Sequence, residues 1–255
     1  MKNKLTFLAV VGKGSTRTIG VKFKYRMPIL FKGKAKIFTK MGREIAVIVK
    51  MGGPNPAENS KLKDAIAKAK AANVPNDNIE RIIKKAANDN DATNYEAVTY
   101  EGYGPSGVAV IVEALTDNRN RTAGEVRHYF DKFGGNMGTQ GCVSFMFSQK
   151  GVLVIEREDL EKDEDTVMSD ALECGASDFE ADEDIFTVYT EPEDFGTVRD
   201  ELEKLGYTFA SAELEMVPST YTKLDDEETA VKMQKMLDMF EDNDDIQNVW
   251  QNWES

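Results

Sequence analysis

Between positions 36 and 86 the apolar residues recur with the 3.6-residue period of helices; from position 95 onward they fall in short runs with the period of strands. A chain with two such regimes folds as at least two units, the helical one first, and 255 residues leave room for two or three. In residues 36–51, Ile37, Phe38, Met41, Ile45 and Ile48 share one side of a helix, and Lys36, Lys40, Arg43 and Lys50 fill an arc opposite. Gly52-Gly53-Pro54-Asn55-Pro56 stops that helix. A second helix, opening at Ala57 or Ser60 and closing at Ala72, buries Leu62, Ala65, Ile66 and Ala69 and sets Lys61, Lys63, Lys68 and Lys70 outside. After Pro75, Asp77 and Glu80 resemble a capping box. The third helix that follows turns Ile79, Ile82, Ile83 and Ala86 inward and leaves Arg81, Lys84 and Lys85 exposed. The expectation is a small bundle with basic backs over residues 33–90.

Charge changes sign at the same place. Residues 1–90 carry a balance of +14 and residues 91–255 one of −27, which the net −13 conceals. A basic module on an acidic body points to a polyanionic partner for the first module. No acid precedes Glu44, and residues 1–32 mix short apolar pieces with Gly, Ser and Thr. That segment is compatible with a targeting peptide for organellar import, a basic arm or a mis-assigned start; a cytoplasmic protein is the expectation otherwise. The apolar runs fall far short of the ~20 residues of a membrane-spanning helix, so no membrane partner is expected.

Beyond a polar linker at 87–94, strands are expected at 95–102 and 107–115, then a helix at 121–133. Strands near 142–148 and 152–157, a helix near 165–174, and short strands near 178–180 and 185–189 come next. A helix at 193–205, a strand at 208–216 and helices near 226–240 and 244–253 close the chain. The pattern is α+β with antiparallel sheets. Residues 95–138 hold too little for a closed core, so residues 207–253 are expected to return and complete that domain, with 139–206 inserted.

Few residues suggest covalent chemistry. Gly102-Tyr103-Gly104-Pro105-Ser106-Gly107 joins two strands, so it reads as a hairpin turn rather than a phosphate loop, which needs a helix N-terminus. His128, the one histidine, sits mid-helix. Cys142 and Cys174 have neither a CxxC partner nor a neighbouring histidine and read as packing residues. No metal site, cofactor or enzymatic activity is expected. Thr116–Thr122 is more unusual: Asn118, Arg119, Asn120 and Arg121 form a candidate functional loop, or simply a capped, salt-bridged helix start. The acidic clusters at 225–228 and 241–245 read as carboxylates favourably placed at helix N-termini.

Several long segments together resemble one family. They are Lys36-Ile37-Phe38-Thr39-Lys40 with Gly42–Val47, Gly52–Pro56, Ala67–Asn73, Asn78–Arg81, Tyr100–Pro105, Leu115–Thr122, and Gly134-Gly135-Asn136 with Gly138-Thr139. In this order they look like the YebC family over about residues 33–253. The resemblance implies a basic helical domain followed by two α/β domains, and a role in gene expression. Mitochondrial members activate translation of cytochrome oxidase mRNA. Other members are described as probable DNA-binding transcriptional regulators, or look like ribosome-associated factors that relieve stalling on proline-rich stretches. The family usually carries a Gly-His-Ser-Lys-Trp-like or Arg/Lys-rich segment before the KIFTK run; residues 1–32 here show no such motif, and Lys32, Lys34 and Lys36 keep the charge.

The residues expected to grip nucleic acid are Lys36, Lys40, Arg43, Lys50, Lys61, Lys63, Lys68, Lys70, Arg81, Lys84 and Lys85. Lysines suit phosphates as point charges and read base edges poorly, so structured ribosomal RNA on the ribosome is favoured and DNA is the alternative. A monomer is expected.

Overall fold

The computed structural model describes residues 34–88, 95–158 and 160–254, of residues 34–37 and 71 the backbone alone. The segment 1–32 and most of the linker lie outside the described residues. The helical unit comprises α1 (Lys34–Gly52), α2 (Ser60–Ala71) and α3 (Asn76–Asn88). Asn59 opens α2: its side-chain oxygen accepts from the Leu62 amide at 3.2 Å, and its amide donates to the carbonyls of Ile48 and Gly53. One residue thus caps the second helix and ties it to the end of the first. Ile45, Val49, Leu62, Ala65, Ala69, Val74 and Ile79 form the core.

The body is built on two antiparallel four-stranded sheets, one to each α/β domain. The first has the order β3-β1-β2-β9, from β1 (Glu96–Tyr103), β2 (Ala109–Thr116), β3 (Asn136–Met137) and β9 (Ile246–Gln251). Helices α4 (Arg119–Lys132) and α7 (Glu227–Asp242) cover one face, where Val110, Val112, Val126, Phe130, Met236 and Phe240 are buried together. The second sheet, order β5-β6-β4-β7, contains β4 (Phe147–Glu156), β5 (Asp178–Ala181), β6 (Ile185–Thr190) and β7 (Ser211–Pro218). Helices α5 (Glu164–Glu173) and α6 (Phe195–Lys204) pack on one side of it. A two-residue parallel pair joins β8 (Thr222–Lys223) to β10 (Trp253–Glu254). The run Val152–Ile155 is buried throughout because both faces of β4 are covered: Leu153 and Ile155 lie toward the helices, Val152 and Val154 on the other face.

Four expectations change. The strand expected at 208–216 pairs along its length with β4, from Ser211 opposite Val154 to Pro218 opposite Phe147, so it belongs to the second sheet and not to the first. The boundary expected at 206/207 therefore moves beyond residue 218. The chain at 142–146 is a loop and a short 3-10 turn (Ser144–Met146), and one long strand from Phe147 replaces the two expected. The helix at 119–132 starts two residues early. The final helix expected at 244–253 is instead β9 and β10. Its helical look has a physical cause. Val112 pairs with Val249 and Ala114 with Ile246, so a bulge inserts one extra residue between them. The bulge puts Ile246 and Val249, three apart, in the same core, a spacing that imitates a helix.

The glycine motifs are places of close backbone approach. A Cβ on Gly135 would stand 2.5 Å from the Tyr103 carbonyl oxygen and 3.0 Å from the Gly104 Cα. A Cβ on Gly124 in α4 would meet nothing within 4 Å. Gly135→Ala is expected to cost ~1–3 kcal/mol, because backbone cannot yield as a side-chain tip can. Gly124→Ala should be neutral or stabilise by ~0.5–1 kcal/mol through helix propensity. Thermal unfolding of the two variants beside the parent checks the pair: the first should melt lower, the second no lower.

Candidate nucleic-acid interface

The basic residues of the helical unit divide into two sets. Lys61, Lys63 and Lys70 on α2, and Arg81, Lys84 and Lys85 on α3, are exposed, as is Lys50 in the last turn of α1. Lys84 and Glu80 form an exposed i,i+4 pair at 3.4 Å, and Arg81 reaches the Asn78 side chain. The Lys36 side chain lies outside the described residues.

The second set faces the body, contrary to expectation. Lys40 is only 3% exposed and donates through Nζ to the Glu241 carbonyl at 3.1 Å. Arg43 donates to the Asp244 carbonyl at 2.9 Å and to Asp245 Oδ1 at 2.6 Å, with its guanidinium 5.3 Å from the Tyr95 ring centroid. Lys68 pairs with Glu213 on β7 at 3.2 Å, and Asp64 lies 4.0 Å from Arg199 on α6. Burial works to lower the Lys68 ammonium, but Glu213, Glu44 and Glu215 outweigh it, so its pKa is raised. The helical period placed Lys40 and Arg43 correctly, opposite the bundle's own core. That outer face is a second interface, made with the acidic corner after α7.

Asp245 is the focus of that corner. Its carboxylate is almost fully buried. Oδ2 accepts from Thr116 Oγ1 at 3.0 Å, Thr122 Oγ1 at 2.8 Å and Arg121 Nη2 at 2.6 Å, while Oδ1 takes the Arg43 guanidinium. Burial alone would raise the Asp245 pKa; donation by Arg121, Thr122, Arg43 and Thr116 outweighs it and holds the group at about 2. The Asp245 carbonyl also accepts from the Leu115 amide at 2.7 Å, so the carboxylate is positioned by the pairing of β2 with β9. Asn243 steadies the turn from the other side. Its side-chain oxygen accepts from the Asp245 amide, and its amide reaches Glu125 and Tyr129 of α4.

The candidate loop is therefore built into this corner. Asn118 caps α4 by accepting from the Arg121 amide at 3.1 Å. Arg121 divides its guanidinium between Asp117 and Asp245, which raises its pKa further. Arg119 and Asn120 are exposed in the first turn of the helix. His128 is exposed on α4, and burial raises both the Cys142 and the Cys174 thiols. Among the described residues no group of three or more His, Cys, Asp or Glu could hold a metal ion, and no helix is long and apolar enough to cross a membrane. Sequence reasoning missed Asp245, because nothing local separates it from Asp242 and Asp244 in the same acidic run.

A helical domain followed by a body of two antiparallel sheets also has counterparts among known proteins. Residues 24–89 match the TACO1/YebC protein N-terminal domain, and residues 95–253 match the TACO1/YebC second and third domain. The chain belongs to the TACO1/YebC family. A relative from Acetivibrio thermocellus is 64% identical over 220 residues, covering 86% of this chain and 90% of its own length; one from Caldicellulosiruptor bescii is 60% identical over 221 residues, with 87% and 90% covered. Both are called "Probable transcriptional regulatory protein". The crystal structure of a conserved hypothetical protein from Aquifex aeolicus superposes with a TM-score of 0.80 at 44% identity, covering 92% of this chain and 96% of that one.

The depressed pKa of Asp245 sets a pH dependence. An unfolded aspartate titrates near ~4, so the folded state gains from ionised Asp245 fully above about pH 4 and loses that gain as pH falls through about 2. The contribution is ~2–3 kcal/mol. Asp245→Asn should melt lower at pH 7 and show a flatter loss of stability between pH 4 and 2, measured by chemical denaturation across that range.

Proposed function

We propose that this protein is a non-enzymatic regulator of gene expression that acts as a translation factor. The exposed face of α2 and α3 binds structured ribosomal RNA, and the α/β body is thereby positioned on the ribosome, where it relieves stalling on proline-rich stretches. One observation carries the choice of RNA. Of the six exposed cations on α2 and α3, five are lysines and one is Arg81, whereas Arg43, a potential bidentate base reader, is held on Asp245. Point charges spread over two helices suit phosphates arranged by a folded backbone; reading DNA base edges calls for forked donors such as Arg, Asn or Gln on a helix that enters a groove. The acidic body, in turn, makes this basic face the principal polyanion contact.

The name of the curated relatives favours a second reading, a transcriptional regulator that holds promoter DNA through the same face. Both readings expect affinity that falls steeply with salt, so the ligand distinguishes them.

The quadruple variant Lys61→Glu, Lys63→Glu, Lys70→Glu, Lys84→Glu tests the face. Affinity for a large-subunit ribosomal RNA fragment should fall at least tenfold, and the slope of log affinity against log salt should become shallower by about one for each phosphate no longer neutralised. These side chains are exposed, so melting should be unchanged. Unaltered affinity would reject the face, and tight binding to promoter duplex without binding to ribosomal RNA would establish the transcriptional reading instead.

A further inference from the structure

Residues 133–149 contain no charged side chain, in a body that is otherwise strongly acidic. The middle of this stretch is a loop whose tip, Phe145, is 75% exposed. Such a residue on a floppy loop would mean little, but this loop is held from several directions. Glu101, on the face of β1 away from α4 and α7, is 4% exposed, and its carboxylate accepts from the amides of Gly141 at 2.8 Å, Val143 at 2.9 Å and Ser144 at 2.9 Å. Burial pushes that carboxyl up, and the three amides more than reverse it, so its pKa is lowered. The Glu101 carbonyl accepts from the Gly138 amide, and the Tyr103 hydroxyl donates to the Cys142 carbonyl at 2.9 Å. Val143 and Phe147, on either side of the tip, are buried against Ala109 and Ile111 of the first sheet. The Met146 carbonyl accepts from the Ser219 amide at 2.8 Å, anchoring the far end.

We propose that Phe145 is a stacking platform for an unpaired nucleobase, a second contact that rests on the RNA-binding reading above. Phe145 is the one exposed large apolar side chain of residues 133–149, a narrower target than the apolar cluster that shields a protein–protein anchor from water. A single base needs only the ring face and tolerates a wet edge. The segment adds no carboxylate of its own to the acidic body, so a phosphate backbone meets less repulsion from it than from the acid-rich segments. The loop is ordered before the base arrives, so stacking carries little ordering cost. The lysine face would then hold the paired backbone and Phe145 a base extruded from it.

The test uses the full chain and two fluorescein-labelled probes: an RNA hairpin with an eight-adenosine loop and a blunt RNA duplex of the same stem. Phe145→Ala should weaken hairpin binding by roughly 5- to 100-fold, the effect of losing one stacked base, and leave duplex affinity unchanged; Phe145→Trp should retain both. Ultraviolet crosslinking to the hairpin should place the adduct at Phe145 within tryptic peptide 133–150, which the absence of Lys and Arg before Lys150 leaves in one piece. Equal hairpin affinity for parent and Phe145→Ala, with adducts on other peptides only, would overturn the platform while the lysine-face reading stood on its duplex binding. Equal hairpin affinity combined with a protein crosslinked at position 145 would overturn it in favour of protein docking. Failure of the parent to bind either RNA would overturn both readings.

Discussion

A single buried carboxylate organises the region where the basic unit meets the body. Asp245 receives Arg43 from α1, Thr116 from the end of β2, and Arg121 and Thr122 from the start of α4. A carboxylate buried beside one cation alone would leave much of its desolvation cost uncompensated, and here four donors surround it. Removing any one partner strands the others, so the corner behaves as a unit. Its order depends on the pairing of β9 with β2, which requires the chain to leave the first sheet, build the second and return.

That corner also decides which positive charges remain available. Lys40, Arg43 and Lys68 are engaged with backbone carbonyls and carboxylates of the body, and Lys61, Lys63, Lys70, Arg81, Lys84 and Lys85 stay on the outside. The helical unit is thus polarised, with one basic face engaged by the acidic domains and another left exposed. The −27 balance of residues 91–255 supplies the docking partners of the first face and leaves the rest of the body acidic. The exception is the uncharged stretch around Phe145, held rigid by a second buried carboxylate, Glu101.

Local periodicity made much of the fold legible. The three helices, the β1–β2 hairpin and the helices of the body follow from apolar spacing, capping residues and turn chemistry. Misreadings arose where a tertiary contact sets the meaning of a local pattern. The bulge opposite Glu113 and Ala114 gave β9 a helical spacing. A helical wheel shows that Lys40 and Arg43 face away from their own core, yet it cannot distinguish water from a neighbouring domain. Asp245 was illegible for the same reason, since its partners lie more than 120 residues away in sequence. The polar run Thr116–Thr122 did signal something unusual, and its hydroxyls and Arg121 proved to be three of the four donors to the buried carboxylate.

The central claim is that the exposed lysine face meets ribosomal RNA. Ultraviolet crosslinking in living cells, followed by sequencing of the nucleic acid left attached to the protein, tests it most directly. Crosslinks concentrated at a discrete place in large-subunit ribosomal RNA are the predicted result. Crosslinks at discrete promoter DNA, without enrichment of ribosomal RNA, would contradict it.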